Sequence, residues 1–324
     1  MNRLRAYRDI EGLSQEELSD ALGVTPQMVS LIERGRRSFT GDLTKIGYSN
    51  DRFDLPDMSE PLHRNRASTA VSAKKRASEL LRLAGEVFGE LVKRTERAPR
   101  LSLERYGPPR SLEDLEDLAV DVRYALGIEP HGPIQNLTAA IERAGVCIVP
   151  MVGLPGIDGI SAWVNDVPVI GLSPSVPGDR FRLSLGHESL HLMCHTRKGP
   201  STEAEANRFA GALLIPLEDF DAAMSERPNL KDFIAMKTNW GISVAALVYR
   251  AHELDYIDDS RYRALQIQMS KWRKNEPATF EPMRGHLLAK LVDVNGGVPA
   301  VARELGVNRK HLAELVNWSH LRVA

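Results

Sequence analysis

A chain of 324 residues with 43% hydrophobic and 26% charged side chains has the composition of an ordinary globular protein and room for two or three domains. Its formal net charge of −1 excludes a generally cationic surface of the kind that coats polyanions. Two cysteines, Cys147 and Cys194, are too few for a disulfide framework and fit a reducing cytoplasm. No apolar run reaches the ~18 residues of a membrane span and no signal-peptide core opens the chain, so the expectation is a cytoplasmic protein without a membrane partner.

Residues 1–47 carry two short helical patterns joined by a tight turn. Ser14 and Glu17 form an S-x-x-E capping box, and the helix they start ends at Gly23. Thr25 caps the next helix, with Pro26 at its first position, where a missing N–H costs nothing. Leu18, Leu22, Val29 and Ile32 are the expected core of this helix-turn-helix.

The stretch GLSQEELSDALGVTPQMVSLIERGRR resembles the Xre/Cro family of DNA-binding domains. That resemblance implies a double-stranded operator as partner, bound by a homodimer. It places Gln15 at the start of helix two, and Gln27, Met28 and Ser30 where a recognition helix faces bases, with Thr25 at that helix's cap among the implied DNA contacts. Gln27 is the best candidate for reading a base, since Gln pairs bidentately with adenine. Arg34, Arg36 and Arg37 would contact phosphate, and Arg8 with Glu33 matches the family's internal ion pair. Seven Lys/Arg and seven Asp/Glu cancel over residues 1–45, so binding must depend on local placement. The alternative is a protein-interaction module of the same fold.

Residues 48–62, polar and proline-containing, read as a linker, and 63–97 as a helix whose apolar face holds Ala77, Leu80, Leu81, Leu83, Ala84, Val87, Phe88 and Leu91. The excess of base on that helix could extend a DNA footprint, mark a dimer helix or be a solvated face. Ser111 caps the next amphipathic pattern, and a further helix ends on Gly145. GVCIVPM, DGISAWV and VPVIGLS are short β-branched runs, with Asn165 and Asp166 turning between the last two. A small sheet of this kind could align an extended peptide along an edge strand.

The chemistry concentrates in LSLGHESLHLMCH, residues 183–195. His187 and His191 stand one helical turn apart on one face, suited to one Zn²⁺, and Glu188 beside the first of them suits a general base. In STEAEANRFAGALLIP, Ser201 is a plausible N-cap and Glu203 the candidate third ligand, giving a His₂Glu site with an open position. Asn207, one turn on, can orient a ligand histidine, and Glu205 is the second choice as ligand. His195 continues the histidine row, but two turns of straight helix, about 11 Å, put it out of range of a metal shared with His187. Cys194 reads as a buried thiol. Arg180 and Arg182 could meet a substrate carboxylate or oxyanion, with surface salt bridges as the alternative.

HESLH followed by EAEANRFAGALLIP, with DGISAWVNDVPVIGLSPSVPGDRFRLSLGHE upstream, resembles the ImmA/IrrE family of zinc metallopeptidases over roughly residues 110–255. The resemblance implies a gluzincin-like fold, zinc on His187, His191 and Glu203, Glu188 as catalytic base, and a repressor-like protein as substrate. The WGIS turn near Ser243 mimics a helix-turn-helix, but Trp240, Val244, Leu247 and Val248 look like core. AVARELGVNRKHLAELV near the C-terminus is another helix pair, open to DNA, a partner or dimerisation.

The expected molecule is α+β and mostly helical. Its segments are a helix-turn-helix domain at 1–47, a linker and basic helical connector at 48–110, a zinc peptidase domain with a small sheet at 111–255, and a helical C-terminal region at 256–324. Two functions are consistent with it. One is a DNA-binding regulator whose zinc endopeptidase cleaves a repressor in a stress, phage or mobile-element response. The other is an antitoxin-like repressor whose zinc site is a sensor or structural.

Overall fold

A computed structural model describes residues 3–50, 55–65, 69–272, 276–278 and 280–318. The chain divides into two units: residues 1–102, 145–174 and 285–324 form the first, and 103–144 with 175–284 the second.

The first unit begins with helices α1 (Arg3–Glu11), α2 (Gln15–Leu22) and α3 (Pro26–Glu33). The expected caps are present. Ser14 accepts from the Glu17 N–H while Glu17 accepts from the Ser14 N–H, Gly23 closes α2 in the left-handed conformation, and Thr25 accepts from the Met28 N–H. Leu18, Leu22, Val29 and Ile32 are buried with Leu4, Tyr7, Leu43 and Tyr48.

Strand β1 (Leu62–Asn65) and the long helix α4 (Val71–Arg94) follow. Strands β2 (Cys147–Pro150), β3 (Ile157–Val164) and β4 (Val167–Leu172) complete a sheet of order β1-β3-β4-β2. The β3–β4 hairpin turns at Asn165, whose φ of 49° is left-handed, and β2 runs parallel to β4. Every apolar position named for the connector helix is buried, so α4 is a core helix on this sheet and not a solvated spacer. Gly85 permits the close approach, since a Cβ there would lie 2.5 Å from the Val164 side chain.

Sequence expectations change at three points. Part of the 48–62 stretch is structured: Tyr48 is buried and stacks on Tyr7 at 3.6 Å between ring centroids, Met58 bridges to Val164, and Leu62 enters β1. Asp51, Arg52, Phe53 and Asp54 of that stretch lie outside the described residues, as do Arg66 to Ser68 after β1. β1 also covers the free side of β3, so neither strand of the hairpin is an edge. Moreover, α1 packs on α4. Arg3 makes a bidentate pair with Glu86 at 2.9 and 3.0 Å, Arg76 donates to the Ile10 carbonyl, and Ile10 belongs to the α4 core. The compact units therefore cut across the expected chain segments.

The second unit is all helical among its described residues: α5 (Asp114–Ala125), α6 (Leu137–Arg143), α7 (Gly178–Cys194), α8 (Thr202–Leu214), α9 (Leu217–Ala223), α10 (Leu230–Trp240), α11 (Val244–Glu253) and α12 (Asp259–Met269). Ser111 accepts from the Asp114 N–H, the bond expected of an N-cap, although the regular helix begins only at Asp114. Ser201 precedes α8 without a side-chain cap bond. Trp240, Val244, Leu247 and Val248 are core, as expected. α7 is buried around nearly its whole circumference, and Gly186 lets it lie against α8, with Ala210 3.3 Å from where a Cβ would stand.

The first unit is completed by α13 (Leu287–Val294), α14 (Gly297–Leu305) and α15 (Arg309–Val316). His311 is fully buried, its Nε2 2.8 Å from Glu11 and its Nδ1 3.1 Å from Glu314, while Asn308 donates to the Ile46 carbonyl. These two residues, open to DNA on sequence grounds, instead fasten α15 to the helix-turn-helix. No helix among the described residues is long and apolar enough to cross a membrane.

Candidate functional site

His187 and His191 project from successive turns of α7, as the four-residue spacing requires. Both rings are buried, and their Nε2 atoms face each other at 3.1 Å. Glu203, in the first turn of α8, reaches the same point with an oxygen 3.5 Å from the His187 Nε2. One ligand atom from each of the three lies within 4.8 Å of the others, the arrangement a metal ion needs. His187 Nδ1 is 3.0 Å from the Asn207 amide oxygen, an acceptor, so the ring proton sits on Nδ1 and the Nε2 lone pair points inward. Inward-facing imidazole lone pairs together with a carboxylate form a set of acceptors that a cation completes, and the donor types suit zinc.

The electrostatics agree. The close approach of His187, together with Lys198, holds the Glu203 carboxyl down to about 2. Burial, then the neighbouring His187 and His195, push His191 down to about 2, so its imidazole is neutral as a ligand must be. Glu188 is fully buried on α7. Cys194 is buried, as read from the sequence, and burial followed by the Glu205 charge pushes its thiol up to about 12.

His195 and Glu205 stand outside the three-residue cluster, yet they are joined to it. The His195 Nδ1 lies 2.7 Å from the His191 Nδ1, and its Nε2 lies 2.7 Å from Glu205. The sequence showed the histidine row but not this partnership. Arg182 is inside α7, buried, and donates to the Ile134 carbonyl at 2.9 Å, so it is not the surface group that a surface salt bridge would need; Arg180 is exposed.

In the helix-turn-helix, Gln27 is exposed in the first turn of α3, and Arg34, Arg36 and Arg37 are exposed after it. Arg8 pairs with Glu33 through Nε at 2.6 Å, as expected, and the Gln15 amide donates to the same carboxylate at 2.7 Å. Thr25 is engaged as the α3 cap, Met28 is half-buried against the small core, and Ser30 is half-buried with its carbonyl accepting from Arg34.

Residues 4–43 match the family model of the helix-turn-helix, and residues 141–252 that of the IrrE N-terminal-like domain of the M78 peptidases. No curated protein matches the chain at a significant level. The second match spans β2 to β4 and runs on through α7, α8 and the WGIS turn. The chain thus fuses an Xre-like, DNA-binding helix-turn-helix to a peptidase segment of the ImmA/IrrE type.

Proposed function

We propose that this protein is a DNA-binding transcription regulator with a working zinc endopeptidase, and that its substrate is a repressor or other regulatory protein. The observation that carries the reading is the convergence of His187, His191 and Glu203 next to a buried Glu188. His187, His191 and Glu203 would hold the zinc. When bound there, zinc supplies Lewis acidity and lowers the pKa of water toward ~7. Glu188 takes the proton from the attacking water and returns it to the leaving amine, so hydrolysis balances without another reactant. Asn207 holds the His187 ring with its Nε2 lone pair inward. Gln27 reads a base and Arg34, Arg36 and Arg37 contact phosphate, in a homodimer whose half-sites lie about one helical turn apart.

A regulator whose zinc is only a sensor or structural is the second reading, favoured by the fused helix-turn-helix. A buried carboxylate beside the first ligand argues for the peptidase, since a structural site has no use for a general base. Metal analysis of H187A, H191A, E203A and E188Q tests the assignment. The first three lose zinc, and E188Q keeps it and loses proteolysis of the cell's repressors, read by mass spectrometry. Zinc loss in E188Q, or full retention in E203A, overturns it.

A further inference from the structure

We propose that His195 and Glu205 are positioning residues of the metal centre, acting together through His191. The inference rests on the metal reading of His187, His191 and Glu203. It starts from three side chains in series: Glu205 on α8, His195 at the end of α7, and His191 one turn earlier. Both links are 2.7 Å long, and the His195 and Glu205 side chains are only 3% and 15% exposed.

The proton positions follow from the two ends. An ionised carboxylate only accepts, so the proton facing Glu205 belongs to the His195 Nε2. On the metal reading the His191 Nε2 lone pair faces the ion, so the His191 proton sits on Nδ1 and the His195 Nδ1 facing it is the acceptor. The His191 Nε2 is the atom directed at His187 and Glu203. Glu205 thus selects the tautomer of His195, and His195 supports the tautomer of His191 that a ligand needs.

Local backbone explains how His195 comes to this place. Two turns of straight helix would carry it about 11 Å along the axis from His187, beyond any shared metal. The helix stops at Cys194, and His195 is its C-cap with φ −112° and ψ 123°, so its side chain is a support and not a fourth ligand. The two ligand histidines are therefore held differently. His187 leans on the neutral Asn207 amide from α8, and His191 on a histidine anchored by a carboxylate from the same helix. Both supports come from the helix that carries Glu203, so the α7–α8 pairing fixes all three ligands together.

The test uses the full-length protein, stripped of metal and titrated with Zn²⁺ against a chromophoric chelator, with Co²⁺ visible spectra and the thermal midpoint of the metal-free form measured in parallel. E205A and H195F each lower zinc affinity by about 10- to 100-fold and shift the Co²⁺ bands, while the metal-free midpoint stays near wild type. The double variant falls no further than either single one, because the two residues form one chain. E205Q recovers part of the affinity, since its amide oxygen still accepts from His195. Affinities and spectra of E205A and H195F within about threefold of wild type, or fully additive losses, overturn the proposal. So does a loss of affinity matched by a collapse of the metal-free midpoint, which makes the chain only a tie between helices. A wild-type protein that binds neither ion overturns the metal reading itself, and this inference with it.

Discussion

Replacing Glu116 with alanine should be among the most destabilising single changes in the second unit. Glu116 of α5 is buried and is gripped by two arginines: Arg208 Nε of α8 at 2.5 Å, and Arg250 of α11 through both terminal nitrogens at 3.0 and 2.8 Å. The three side chains are 9%, 7% and 4% exposed. Arg250 also donates to the Ile215 carbonyl, and Arg208 lies 3.4 Å from Glu253, a partial counter-charge that E116A leaves in place. E116A therefore leaves two buried guanidinium groups without their main counter-charge. Breaking a buried pair by removing one partner costs about 3–5 kcal/mol, and for a unit of this size that lowers the thermal midpoint by roughly 10 °C. Denaturant unfolding followed by circular dichroism and calorimetry measures it, with E90A as a control because its partner Lys93 is largely exposed and that pair contributes about 0–1 kcal/mol. A cost below about 1 kcal/mol for E116A would refute the reasoning, because the arginines would then be solvated or re-paired at no penalty. Because α8 carries Glu203, zinc affinity should fall in E116A only as the fold is lost.

Other consequences are open to measurement. Burial pulls the His311 imidazole down, but hydrogen bonds to Glu11 and Glu314 outweigh it and raise the group above 6.5. Its stabilisation is therefore complete below the unfolded value near 6.5 and is lost as pH rises through the higher folded value. H311Q should flatten the decline in thermal stability on the alkaline side of pH 6.5, and parallel curves for the two proteins would refute this. Gln27→Ala should relax preference at one base pair by ~1–3 kcal/mol, and Arg36→Ala should weaken all sequences alike and flatten the salt dependence, both read by selection and titration on DNA. Cutting the chain near Pro61 should yield an aggregating C-terminal fragment, seen by size-exclusion chromatography, because it strips Ile10 and Arg3 from α4; a monodisperse fragment contradicts the shared core.

The parts legible in the sequence are those set by short-range rules. A capping box at Ser14, a left-handed Gly23 and an apolar period of 3.6 each act within a few residues, so α2, α3 and the Val71–Arg94 span of α4 followed directly, whereas His63 to Asn65, read into the same helix, form β1. The cluster of His187, His191 and Glu203 was legible because both histidines sit on one element and Glu203 falls in the first turn of the next. What escaped needs partners far apart in the chain. β1 looks polar because one short antiparallel strand has no apolar run of its own, and only its register against Ile157–Ser161 makes it a strand. Glu116, Arg208 and Arg250 are ordinary charges on three amphipathic helices until packing buries them together.

The same distinction explains why His195 was set aside by a correct argument. Measured along a straight helix it is too distant for the metal, and it does not join the ligand cluster. Distance along the axis decides ligation, however, and not support. A side chain one turn beyond a ligand is too far to bind the metal and at the right distance to hold that ligand's other nitrogen. A row of histidines at i, i+4 and i+8 with a carboxylate on the facing helix then has a natural division of labour. The first two rings face the centre of the cluster and the third faces the second ring, provided the helix ends where the third begins, as α7 does at Cys194. On that reasoning the H-E-x-x-H motif here is better read as H-E-x-x-H-x-x-x-H with Glu205, a unit in which the last histidine acts only through its neighbour.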